Sequence, residues 1–217
     1  MALYRYAQIP NGSKRIGKGI VFGWSGNTIS LTVNLEVSGE GATAPLAAEI
    51  GKTIETIWNA SFTDNYRVSS TVNTRYRGQG NEDSDRTQIY VKHDDATTCV
   101  HTLPTLYYAY MEYNINSETT ASWTPAHEFG HLLGLDDKYE EGIRSRINSM
   151  YGGPRSTSVV PGWAGNIMAA HLGTLQKRNL QELFALHAFE LVTFVEDGFN
   201  EMWGLWDSGV RKLYTGW

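Results

Sequence analysis

The stretch Trp123-Thr124-Pro125-Ala126-His127-Glu128-Phe129-Gly130-His131-Leu132-Leu133-Gly134-Leu135-Asp136-Asp137 constrains this chain more than any other. Residues four apart on an α-helix lie about 40° apart around the axis and about 6 Å along it. A helix therefore projects His127 and His131 from one face, where they can share a metal ion. The pattern is His-Glu-x-x-His, two imidazoles with a glutamate after the first. Glu128 is placed to reach a water at the metal without being a ligand itself.

The flanks fit such a helix. Thr124 suits the N-cap, and Pro125 the first helical position, where a missing N–H costs nothing. Gly134 suits a left-handed residue that ends the helix. The chain can then turn back and present a third ligand. Asp137 has the spacing for that role, with Asp136 as its neighbouring alternative. A competing reading, two surface histidines on an amphipathic helix, accounts for neither Gly134 nor Asp137.

With these residues in place, His127-Glu128-x-x-His131-x-x-Gly134-x-x-Asp137 resembles the zinc-binding consensus of the metzincin peptidases. Aspartate replaces the commoner third histidine, as in the snapalysin-like branch. The resemblance implies Zn2+ held by His127, His131 and Asp137, with Glu128 as general base of a zinc-dependent endopeptidase. It implies an α+β fold: a twisted mixed β-sheet with a long N-terminal helix, an active-site helix, a methionine turn and a C-terminal helix. One catalytic domain would cover residues 1–217, with an N-terminal lobe to about 137 and a smaller C-terminal lobe after it. It further implies an edge strand between residues 87 and 115 that pairs with extended substrate.

The methionine turn matches Met168 in Gly162-Trp163-Ala164-Gly165-Asn166-Ile167-Met168, because a helix is expected soon after it; Met150 in Asn148-Ser149-Met150-Tyr151 is the alternative. The two motifs also resemble metallopeptidase domains of bacterial toxins and secretion-system effectors. That resemblance implies a protein or peptide substrate, export from a bacterium and a neutralising immunity or inhibitor protein as partner. A secreted bacterial protease is the other setting it leaves open.

Two rival readings remain at this level. In one, a zinc peptidase takes its third ligand from a later helix, where Glu182 and Glu190 stand. In the other, the chain is a catalytically inactive, metal-stabilised binding module. Glu128 speaks against the second, because a closed structural site needs no base and commonly uses cysteine. Tyr139, Tyr151 and His171 are candidates for stabilising the oxyanion by proximity alone.

Composition narrows the setting. The 217 residues are 41% hydrophobic and 19% charged, enough for one sizeable core. A net charge of −5 with no basic cluster argues against nucleic acid as a partner. Cys99 is the only cysteine, so no intramolecular disulfide forms. It reads as a small hydrophobe. Residues 1–20 show no apolar leader core, and no apolar run approaches a membrane span.

Periodicity supplies the remaining elements. Lys18–Trp24 fits a short strand, and Thr28–Ser38 alternates with Ile29, Leu31, Val33, Leu35 and Val37 on one side. Pro45 to about Asn59 carries a helical stripe of Leu46, Ile50, Ile54, Ile57 and Trp58. Strands are expected over Tyr66–Arg77, Thr87–Lys92 and Leu106–Ile115, a loop over Lys138–Ser149, and a helix over Arg178–Asp197 with Asn179 as its cap. His93 and His101 flank Cys99. Either is open to a second metal, but no paired spacing supports one, and hydrogen-bonded or exposed histidines are the simpler reading.

Overall fold

The computed structural model describes residues 11–93, 97–102, 108–115, 123–141 and 157–188. Two strands open it, β1 (Gly12–Gly17) and β2 (Ile20–Ser25), joined as an antiparallel hairpin. The sequence reading had only the second of these, because β1 lacks an apolar alternation. Gly26, at a φ of +54°, turns the chain into β3 (Thr28–Gly39). β3 forms where the cleanest alternation lies, and its residues Ile29, Leu31, Val33, Leu35 and Val37 are all buried.

Helix α1 (Ala44–Ile57) follows. Thr43 caps it, its hydroxyl accepting from the Leu46 N–H at 3.2 Å, and Pro45 occupies the first turn. The stripe of Ile50, Ile54 and, just past the helix, Trp58 is buried as expected, with Leu46 and Ile57 half-buried at its edges. The short β4 (Ala60–Ser61), then β5 (Arg67–Tyr76), β6 (Thr87–Lys92), β7 (Cys99–His101) and β8 (Tyr110–Asn114) complete the sheet. The last is shorter than the expected Leu106–Ile115; residues 103–107 lie outside the described ones.

The main sheet is mixed. β3 pairs in parallel with β5 along one edge. Its other edge is shared: residues 28–33 pair antiparallel with β2, and residues 35–39 pair in parallel with β6. From β6 the sheet continues to β8 in parallel and, among the described residues, ends in β7, antiparallel to β8. The fork is held by Gly19, whose carbonyl accepts from the Asn34 N–H at 2.7 Å. A Cβ there would lie 2.1 Å from the Asn34 carbonyl oxygen and 2.7 Å from the Thr87 nitrogen. Both obstacles are backbone and cannot rotate away. Gly19→Ala is therefore expected to destabilise the fold by about 1–3 kcal/mol or more, read as a lower denaturation midpoint.

One face of the sheet carries the core. Phe22, Leu31, Leu35, Ile89, Met111 and Tyr113 stand on it, under α1, α2 (Thr124–Leu132) and α3 (Lys177–His187). Trp58 ties α1 to α2: its indole N–H donates to the Ala126 carbonyl at 2.9 Å, and its ring meets Phe129 edge-on at 5.5 Å. Phe22 meets Phe184 of α3 edge-on at 6.5 Å. The opposite face is polar. There the buried carboxylate of Glu36 pairs with Arg77 at 3.3 Å and Arg75 at 3.7 Å.

Three local expectations need correction. Trp123, not Thr124, is the N-cap of α2, and no side chain caps that end. Residues Tyr139–Glu141 are a strand, β9, instead of loop, paired antiparallel with β10 (Thr157–Val159). Gln176 is the N-cap of α3, with Asn179 as the reciprocal partner three residues on. The extension of that helix to Asp197, along with Met150, Tyr151 and Glu190, lies outside the described residues. No helix among the described residues is long and apolar enough to cross a membrane.

Candidate metal centre

Helix α2 ends as its sequence requires. Gly134 has a φ of +90°. The Gly134 N–H donates to the His131 carbonyl at 2.9 Å and the Leu135 N–H to the Gly130 carbonyl at 3.0 Å. These are the two hydrogen bonds of a Schellman motif, which reverses the chain and leaves Leu135 buried. The reversal carries Asp137 back over the helix. Its Oδ1 stands 3.4 Å from His127 Nε2 and 3.4 Å from His131 Nε2. Asp136 is exposed, and its charge acts on Glu182.

The other ring nitrogens are engaged. His127 Nδ1 donates to the Ile167 carbonyl at 2.7 Å, and His131 Nδ1 to the Leu135 carbonyl at 2.8 Å. With the Nδ1 positions protonated, both Nε2 lone pairs and the Asp137 oxygen face one point. Unless His131 carries a second proton, no hydrogen bond reaches the buried Asp137 Oδ1 among the described residues. Three converging lone pairs are unfavourable without a cation. Two donors each about 2.1 Å from one zinc ion at the tetrahedral angle stand about 3.4 Å apart, so the spacing suits zinc as it is.

The ionisation equilibria agree with this. Burial pushes the His127 imidazole below its ordinary value, and the Ile167 hydrogen bond only partly offsets it. Burial acts the same way on His131, but the Asp137 hydrogen bond and the charges of Asp137 and Glu128 outweigh it and raise that group. Burial would raise Asp137, yet His131, the Tyr139 hydroxyl and His127 together hold its carboxyl below the ordinary range. In the metal-free chain a proton on His131 thus stands in for the cation.

A pH dependence follows. The stabilisation from that proton is complete below the ordinary His value of 6.5 and is lost as pH rises through the raised value. Metal must displace the same proton, so zinc affinity is expected to climb by about tenfold per pH unit below the raised value and to level off above it. Titrating zinc at several pH values checks this; a flat profile would contradict it.

The floor of the site comes from a distant segment. Met168 is fully buried beneath α2, so close to Gly130 that a Cβ there would lie 2.4 Å from its sulfur. Asn166 holds this turn. Its side-chain oxygen accepts from the Met168 N–H at 2.8 Å, and its amide donates to Asn179 at 2.7 Å. Met168, the residue expected in the methionine turn, thus packs against α2, and its alternative Met150 lies outside the described residues.

Glu128 is buried on α2 between the two histidines. Of the remaining candidates, Tyr139 hydrogen-bonds Asp137, and His171 lies 5.3 Å from the Trp123 ring, edge-on. Glu182 pairs with Lys138 instead of joining the imidazoles. His187 Nε2 donates to the Leu133 carbonyl at 2.8 Å within the core.

Two positioning residues escaped the sequence reading. Trp123 stacks on His127 at 4.8 Å and donates to the Gly173 carbonyl at 2.8 Å, fixing the ring plane. Ile167 contributes only a carbonyl, which no side-chain pattern announces. An aromatic residue one turn before His127 was the available signal for the first.

No protein-family model matches the chain, and no curated protein matches it. Among solved structures, that of myroilysin is similar at 13% sequence identity, over 72% of this chain and 92% of that one, with a TM-score of 0.44. The likeness is too loose to assign a family.

Proposed function

We propose that this chain is a zinc-dependent endopeptidase. The observation that carries the reading is the convergence of His127 Nε2, His131 Nε2 and Asp137 Oδ1, all within 4.8 Å of one another and Asp137 Oδ1 3.4 Å from each imidazole nitrogen, with Glu128 on the same helix as the histidines. His127, His131 and Asp137 would hold the metal, leaving a fourth position open. When bound, zinc supplies Lewis acidity to a water molecule and to the scissile carbonyl. Glu128 takes the proton of the attacking water and returns it to the leaving amine. The hydrogen bonds to Ile167 and Leu135 keep both imidazoles in the tautomer that binds metal. Tyr139 orients the Asp137 carboxylate.

The substrate reading is an extended polypeptide. Among the described residues β7 ends the sheet, and it contacts α2, so a peptide adding to that edge by backbone pairing would run near the helix that carries the histidines. Export from a bacterium and an immunity protein as partner belong to this proposal as its biological setting.

The test is elemental analysis of the purified chain together with digestion of an unfolded protein. Zinc in the wild-type chain with about one equivalent fewer in Asp137→Ala, cleavage abolished by a chelator and cleavage restored by zinc are expected. A zinc-loaded chain that cleaves no polypeptide would leave a metal-stabilised binding module.

A further inference from the structure

A second set of metal-type donors stands on the other side of the sheet. Cys99 and His101 are two apart on β7, so their side chains share a face. Glu112 of β8 is the cross-strand partner of Cys99. The intervening Val100 packs toward the core with Met111, which puts Cys99, His101 and Glu112 on the face turned away from α2. Their donor atoms all lie within 4.8 Å of one another.

The contacts distinguish two uses of such a trio. A thiol activated by a histidine and a carboxylate would use both ring nitrogens, one for the sulfur and one for the acid. Here one nitrogen serves both: His101 Nε2 is 3.4 Å from Cys99 Sγ and 3.3 Å from Glu112 Oε2. Three donors converging on one point is the arrangement of a metal site. Thiolate, imidazole and carboxylate ligands at tetrahedral angles around zinc would stand about 3.4–3.6 Å apart, close to both contacts.

Neighbouring groups hold the donors in place. The His101 ring stacks on Tyr110 at 4.8 Å, with 18° between the planes. Lys92 takes the other carboxylate oxygen of Glu112 at 2.8 Å, leaving Oε2 toward His101. All three donors are half-buried, and Glu112 borders an open cleft of about 860 Å³ that also involves Lys18, Tyr90, Tyr108 and Tyr110. An ion can enter from solvent.

We propose that Cys99, His101 and Glu112 form a second metal site, for zinc or a similar borderline divalent cation, separate from the His127–His131–Asp137 centre. The donor set selects the cation: thiolate and imidazole disfavour magnesium and calcium. Two of the three residues of β7 are ligands, and the third ligand is on β8. The ion would fasten the last strand of the sheet to its neighbour.

Cobalt titration tests this, because a thiolate–cobalt charge-transfer band can arise only at Cys99, the chain's single cysteine. The band is expected in the wild-type chain and in Asp137→Ala, whose first centre is impaired. Cys99→Ser should lose the band and keep one equivalent of cobalt. His101→Asn and Glu112→Gln should each weaken cobalt binding at this site by at least about tenfold. No band in the wild-type chain would overturn the proposal. So would a band of undiminished affinity in both His101→Asn and Glu112→Gln, which would reduce the site to a bare thiol. Failure of the peptidase reading would leave the charge-transfer band and its response to His101→Asn and Glu112→Gln unchanged.

Discussion

Glu128→Gln is expected to keep its zinc and lose peptidase activity by about 10²- to 10⁴-fold, the usual contribution of a positioned general base. The substitution is nearly isosteric, and Glu128 is buried on a helix whose packing is set by Phe129, Leu132 and Trp58. Stability should therefore change little. A second readout separates loss of charge from loss of shape. The Glu128 carboxylate helps raise the His131 imidazole, so in the metal-free variant that group should titrate at lower pH than in the wild type. NMR titration of the histidine would report the shift. Wild-type cleavage by Glu128→Gln would remove the base from the mechanism and, with it, the reason for a glutamate beside the first ligand.

Asp137→Ala is expected to reduce zinc affinity by more than about 100-fold. Groups that merely orient a ligand are worth about 10- to 100-fold, and this change deletes a donor. Two imidazoles alone leave half of a tetrahedral site to water. Asp136→Ala is the control: its side chain is exposed, and the variant should bind zinc as the wild type does. Zinc retained by Asp137→Ala in the same number of equivalents and at full affinity would move the third ligand elsewhere. Glu182 would then have to leave Lys138, its present partner, to become that ligand.

Much of this centre is local, and local features are legible in sequence. The spacing of His127 and His131 needs only the pitch of a helix. Gly134 announces the left-handed residue that reverses the chain, and the reversal fixes how soon Asp137 returns. The alternation in β3 and the stripe of α1 likewise follow from the periods of strand and helix. The cap of α2 is not legible from residue type, because Thr124, a good cap by type, is already inside the helix.

What the sequence by itself determined, then, is the two-histidine helix, its glutamate, its stop and the aspartate after it, because each depends on residues within a few positions of the next. Only the tertiary structure decided what surrounds them. It brought the Ile167 carbonyl to His127 across forty residues and seated Met168 under Gly130. It split one edge of β3 between β2 and β6 around Gly19. It also set Cys99 opposite Glu112, through a strand register that no local pattern encodes. Pairings of this kind depend on which distant segments share a sheet or a core, and that choice is made by burial of the whole apolar face at once.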